Sequence, residues 1–148
     1  NFCYIVGCKK TRKALVIDPG HDVDQIVSAA EKQGLEIETI VNTHAHGDHT
    51  AGNAELKSLT GAKIIIHALD AAGYPKADVF LKDEKTLQLG EITFDVIHTP
   101  GHTPGSISFA LEGTPLLFTG DTLFPGGARA LLTGRRVTPV PRAALVPR

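Results

Sequence analysis

The sequence predicts an α/β fold built on a mixed sheet system, and three observations carry that expectation. Strand-like and helix-like periodicities alternate in the first half of the chain, strand-like runs dominate the second half, and the breaks between runs fall on glycine, proline and aspartate. At 148 residues with 42% hydrophobic content, the chain is long enough for one core, so one domain is the default.

Taken in order, residues 2–8 and 13–17 are short β-rich runs around Lys9-Lys10-Thr11-Arg12, which suits a hairpin. Asp18-Pro19-Gly20 then breaks the chain. Asp22 with Gln25 three residues on resembles a capping box, Val23, Ile26, Val27 and Ala30 recur on one face, and Gly34 supplies a stop. The spacing predicts a helix of about three turns. Residues 37–42 read as a short apolar strand, 51–60 as a helix stopped by Gly61, and 63–67 as a strand buried on both faces. The stretch 68–84 has little periodicity and reads as a loop or short helix. Residues 86–89, 92–98, 107–111 and 116–119 are then strands, with turns at Gly90-Glu91 and Glu112-Gly113.

A formal net charge of -1 with interspersed acids and bases offers no electrostatic footprint for nucleic acid or an anionic membrane. A small-molecule partner is expected. No apolar run approaches the ~20 residues that span a bilayer, and the start lacks a signal pattern. The expectation is a soluble, cytoplasmic protein, although the chain opens at Asn1 inside an apolar segment, as one with a trimmed start would. Cys3 and Cys8 have an odd separation, which on a strand points their side chains to opposite faces. They are expected to be free thiols without a catalytic role.

The chemistry lies in Thr43-His44-Ala45-His46-Gly47-Asp48-His49. Imidazole and carboxylate are ligands for a borderline cation such as zinc, and no common packing need places four of them within six residues. Histidines two apart project to one side of an extended segment, so His44 and His46 can grip one ion. Gly47 allows a turn that swings Asp48 and His49 toward a neighbouring position. In α/β proteins ligands gather beyond the carboxyl ends of strands, which is where 37–42 delivers this loop.

Two further candidates follow later strands. His102 sits in the Pro/Gly-rich turn Thr99-Pro100-Gly101-His102-Thr103-Pro104-Gly105-Ser106, and Asp121 in Thr119-Gly120-Asp121-Thr122. Taken alone Asp121 reads as a turn residue or helix cap; with the cluster it reads as a bridging ligand. His21 and His67 read as structural or exposed. His98 either holds a ligand or loop from behind or is a packed or solvated side chain.

At these residues the chain resembles the metallo-β-lactamase superfamily, and within it the glyoxalase II (hydroxyacylglutathione hydrolase) branch. The resemblance runs over residues 1–124 and rests on Asp18-Pro19-Gly20, on Asn42 to His49, on Gly52-Asn53, on His98 to Ser106 and on Phe118 to Phe124, all in family order. It implies an αβ/βα sandwich of two mixed sheets with outer helices. It also implies that His44, His46 and His102 bind one metal, that Asp48 and His49 bind a second, and that Asp121 bridges. Zinc is the implied ion, with iron or manganese as alternatives.

The family pattern continues past this point with a strand, a helix and one more histidine, whereas no histidine follows His102 here. Residues 122–148 contain no lysine or acid and carry Arg129, Arg135, Arg136, Arg142 and Arg148 among prolines. The expected organisation is therefore an incomplete domain over 1–124 and an atypical tail over 125–148, of the kind left by a shifted reading frame, a basic linker or a cleaved tag. Loss of an outer layer would expose apolar sheet surface, for which self-association is the expected response.

The function expected from the resemblance is hydrolysis of a thioester such as a hydroxyacyl-glutathione. A cation with these ligands lowers the pKa of bound water from about 15.7 to about 7. Asp48 and Asp121 are the candidates to orient the resulting hydroxide, and Asp48 can instead serve purely as a ligand. The rival expectations are a mononuclear iron persulfide dioxygenase and a metal-binding remnant without catalysis, because such a fold hosts varied chemistry.

Overall fold

The structure is a computed structural model that describes residues 1–82, 84–124 and 127–128. Strands β1 (Tyr4–Gly7) and β2 (Lys13–Ile17) form the expected antiparallel hairpin, with Tyr4 opposite Ile17. Helix α1 (Val23–Lys32) returns the chain so that β3 (Glu36–Val41) pairs parallel with β2. A short helix α2 (Gly47–Thr50) and a longer α3 (Asn53–Thr60) lead to β4 (Lys63–His67), again parallel, and β5 (Val79–Leu81) closes the first sheet in the order β1-β2-β3-β4-β5. That sheet is mixed. The second, β6 (Thr86–Leu89), β7 (Ile92–His98), β8 (Ile107–Leu111) and β9 (Leu117–Phe118), is antiparallel throughout. A small pair, β10 (Leu123–Phe124) with β11 (Gly127–Ala128), follows. Of the tail expected over 125–148, all but 127–128 lies outside the described residues.

Alternation sorts the apolar residues into two cores. Leu15, Ile17, Val41 and Ile65 from the first sheet meet Leu89, Phe94, Ile107 and Phe109 from the second. Ala14, Val16, Ile37, Ile40 and Ile64 point the other way, onto Val23, Ile26, Ala30 and Leu56 of the helices. Ile37 and Ile40 are an odd distance apart yet share a face. A register shift at Ala14/Leu15 pairs Ala14 with Ile37 and Leu15 with Thr39, and such an irregularity resets the pleat by one residue.

Local differences from the expected elements have identifiable causes. The Asp22 box does not form: its backbone is left-handed at φ 56, and no side-chain cap hydrogen bond is made. A capping side chain needs an extended backbone at its own residue, so here it is the Asp22 carbonyl that accepts, from the amides of Gln25 and Ile26. The other end behaves as expected. Gly34 at φ 61 lets its own amide reach the Glu31 carbonyl and that of Leu35 reach Ala30, a closure that needs a left-handed residue. The stretch 68–84 contains a 3₁₀ turn (Ala68–Asp70) and β5, which three residues are too few to signal by alternation.

In the second sheet, Thr86, Gln88, Thr93 and Asp95 alternate with inward residues, and Ile97 is the large apolar residue exposed among them. The outward positions of β6 and β7 are therefore largely polar. Cys3 is exposed, Cys8 is buried, and both are free. Among the described residues no helix is long and apolar enough to cross a membrane.

Phe94 is fully buried where the two sheets meet. Truncation of such a side chain removes transfer free energy and leaves a cavity, so Phe94→Ala is expected to lower unfolding stability by about 3–5 kcal/mol, read as a shift of the urea midpoint at unchanged slope.

Candidate metal centre

Four strand ends deliver the candidate residues to one edge of the sandwich. Asp18 follows β2, the cluster from Thr43 to His49 follows β3, the loop carrying His102 joins β7 to β8, and Asp121 follows β9 in the 3₁₀ turn Gly120–Thr122. The two sheets are joined at this edge by the Ile107 amide, which donates to the Thr43 carbonyl at 2.9 Å. Part of the cluster is itself helical. Gly47, Asp48, His49 and Thr50 wind the short helix α2, so Asp48 and His49 leave the direction of His44 and His46 within one turn. Asn42 fixes the base of the loop, donating to the His49 carbonyl at 3.0 Å and accepting from Asn53 at 2.7 Å.

The imidazoles converge. Nε2 of His44 lies 3.1 Å from Nδ1 of His46, which lies 2.9 Å from Nε2 of His102. Beside them, His44, His49 and Asp121 offer atoms that all lie within 4.8 Å of one another. Asp121 faces both groups: Oδ1 is 3.3 Å from Nε2 of His49, and Oδ2 is 3.5 Å from Nε2 of His102. Asp48 is the outlying member of the predicted set, 61% exposed with Oδ2 at 3.6 Å from Nε2 of His49. Since His46 is exposed too, the centre opens to solvent on the side of His46 and Asp48.

Asp18 is the residue whose role the sequence left unassigned. It is buried, with a left-handed backbone at φ 52. Its carboxylate accepts from the Thr43 amide at 2.8 Å, from the Thr43 hydroxyl at 2.7 Å and from Nδ1 of His49 at 3.0 Å. An ionised carboxylate only accepts, so His49 carries its hydrogen on Nδ1, leaving the Nε2 lone pair toward Asp121. The Thr43 hydroxyl hydrogen is committed to Asp18. Its oxygen can then accept from Nδ1 of His44, 3.1 Å away, which frees Nε2 of His44 in the same way. One carboxylate thus sets the tautomer of two imidazoles, a role in which outer partners of metal-binding histidines recur.

The donor set fits a cation. Two nitrogens bound to one tetrahedral zinc at about 2.0–2.1 Å sit roughly 3.3 Å apart, close to the separations between these imidazoles. Without a cation, Nδ1 of His46 stands between two ring nitrogens and can satisfy one of them as donor or as acceptor but not both by the same hydrogen. Protonation offers little relief at His44, because burial first and its histidine neighbours second push its pKa down to about 4. For His49 burial works against the proton, yet the Asp18 hydrogen bond and the charges of Asp18, Asp48 and Asp121 outweigh it and raise the pKa.

The remaining histidines stand apart from the centre. His67 is buried and stacks on His98 with ring centroids 4.6 Å apart. Nε2 of His98 donates to the Pro104 carbonyl at 2.9 Å, which places it behind the His102 loop. His21 lies in a turn and is exposed. Gly120 precedes Asp121 at φ 49, and a Cβ there would lie 2.2 Å from Oγ1 of Thr43, so the approach of this turn to the cluster requires glycine.

Comparison with known proteins places this geometry among relatives. The profile described as "Metallo-beta-lactamase superfamily" matches residues 1–139. A hydroxyacylglutathione hydrolase of Rhodospirillum rubrum is 41% identical over 134 residues, covering 90% of this chain and 52% of that protein. The chain spans about half the length of the curated relatives it matches. Among solved structures, ETHE1 from Myxococcus xanthus superposes with a TM-score of 0.74 at 31% identity, over 83% of this chain and 53% of that one. TTHA1623 in a di-iron-bound form gives 0.69 at 26% identity, over 89% and 72%.

The opposed shifts of His44 and His49 set a pH dependence for the metal-free protein. His44, with a lowered pKa, contributes stability that is complete above its unfolded value of 6.5 and lost as pH falls toward about 4. His49, with a raised pKa, contributes stability that is complete below 6.5 and lost as pH rises through its folded value. Their joint contribution is expected to peak near pH 6.5. In Asp18→Asn the decline on the alkaline side should disappear, as measured by urea midpoints across the pH range.

Proposed function

Since this chain belongs to the metallo-beta-lactamase superfamily, we propose that it is a metal-dependent hydrolase whose substrate is a thioester of the hydroxyacylglutathione class. The observation that carries the reading is the convergence of His44, His46 and His102 beside Asp121 and His49, with the lone pairs of His44 and His49 directed inward by Asp18. The substrate class follows from the name of the relatives matched over most of this chain.

In this reading Nε2 of His44, Nδ1 of His46 and Nε2 of His102 would hold one ion, and His49 with Asp48 a second. Asp121, with one oxygen beside His49 and the other beside His102, would serve both. Ions held there supply Lewis acidity, which acidifies water and polarises a carbonyl oxygen; zinc is the proposed ion, with iron or manganese as alternatives. The residues do the rest. Burial keeps His44 neutral, so its nitrogen is a ligand near neutral pH rather than a cation. For the Asp48 carboxyl, slight burial works against the charge, but His49 beside it and the neighbouring backbone outweigh that and hold the pKa below the usual value. Asp48 therefore stands ionised at the open rim, where its Oδ2 can accept a proton from a reacting water and orient it.

One observation favours a second reading, oxidation of a persulfide at a single iron. The described residues give one position three imidazoles, His44, His46 and His102, whereas the group at the other, His44, His49 and Asp121, shares His44 with the first and has His49 as its one separate imidazole.

Elemental analysis coupled to hydrolysis of a hydroxyacylglutathione thioester separates the readings. Bound zinc, loss of turnover on chelation and recovery on adding zinc are expected. One iron with oxygen uptake on a persulfide would favour the dioxygenase, and no ion with no turnover would leave a remnant. His46→Ala should lower ion affinity by more than the about 10- to 100-fold that loss of an outer partner costs, with turnover falling in parallel.

A further inference from the structure

We infer that Asp70 is a positioning residue that sets the separation between His102 and the pair His44 and His46. The inference rests on the reading that these three imidazoles hold an ion. Asp70 ends the 3₁₀ turn after β4, and it is 5% exposed. Its Oδ2 accepts from the backbone amide of Ala45, the residue between His44 and His46, at 3.0 Å, and from the hydroxyl of Thr103, the residue after His102, at 2.8 Å. Its Oδ1 accepts from the Gly105 amide at 2.7 Å. A single carboxylate therefore clamps both loops.

The partners are arranged for a carboxylate and not merely for a polar side chain of that size. All three groups donate, so an amide in place of Asp70 would turn its own N–H₂ toward a donor. The Thr103 hydroxyl also lies 2.8 Å from Oγ of Ser106 and can accept there while donating to Asp70. Ser106 in turn accepts from the Thr103 amide at 3.0 Å. Gly105 lets the backbone come in close, because a Cβ at that residue would lie 2.6 Å from the Asp70 carboxyl.

The role differs from that of Asp18. Asp18 touches the His49 ring directly and reaches His44 through Thr43, so it governs where ring hydrogens reside. Two of the Asp70 bonds above go to residues flanking the candidate ligands, Ala45 and Thr103, and the third to Gly105 in the His102 loop, so it governs where the rings stand. At the base of the two loops the Ile107–Thr43 bond joins the sheets. Farther out, Asp70 bonds to both loops beside the rings themselves.

The test is titration of the metal-free full chain with cobalt(II) alone, followed by its visible absorption and by competition with a chromophoric chelator. Asp70→Asn is expected to weaken the tighter cobalt site about 10- to 100-fold and to alter its absorption band while the protein still melts cooperatively. Thr103→Val removes one bond of the three and should give a smaller loss in the same direction, which keeps the test decisive if Asp70→Asn does not fold. Asp78→Asn removes a carboxylate bound to the Ile64 amide and Lys57, away from the centre, and controls for general destabilisation. Native affinity in a folded Asp70→Asn, or in Thr103→Val if the former does not fold, would overturn the inference, as would a loss no larger than that in Asp78→Asn. A native chain that binds no cobalt would instead sink the metal reading, and this inference with it.

Discussion

Three imidazole nitrogens packed about three ångströms apart have too few hydrogens to satisfy every contact among them, a shortage that a positive ion between them removes. Around this chain's cluster the usual relief, protonation, is restricted at His44 by burial and by the neighbouring rings. The crowding is held in place by the fold: four strand ends meet at one edge, and buried carboxylates and amides fasten their loops. A set of donors already brought together in this way leaves little ordering to do when a cation arrives.

The layering behind this edge follows from alternation, reset once where the register shifts at Ala14/Leu15. One face of the first sheet is covered by α1 and α3, and its other face meets the second sheet. Neither core reaches into the centre, which is built from groups that hydrogen bond to one another, and among the described residues no buried side-chain polar atom is left without a partner. The division of labour is physical. Apolar contact fixes how the sheets stack, and directional bonds fix where the rings point.

Much of this was legible in the sequence because its signals are local. His44, His46, Asp48 and His49 lie within six residues, too dense for an ordinary polar loop, and the strand runs before them are plainly apolar. The hairpin, α1 and the strands of the second sheet were readable for the same reason. What escaped depends on distant partners. Asp18 meets His49 across thirty-one positions, and Asp70 meets Gly105 across thirty-five; nothing beside either residue announces the pairing. The Asp22 box failed because the pattern specifies side chains while the cap depends on a backbone angle. Likewise β5 gains strand character from lying against β4 rather than from its three residues.

The amide of Ile107 that reaches the Thr43 carbonyl has a mechanical consequence. Apolar packing between the sheets interdigitates and fixes their stacking, but it is not directional and so ties no particular backbone atom of one sheet to the other. Here a slip at this edge would stretch a bond anchored on the residue before His44, so gliding of one layer over the other and loosening of the histidine loop become a single motion.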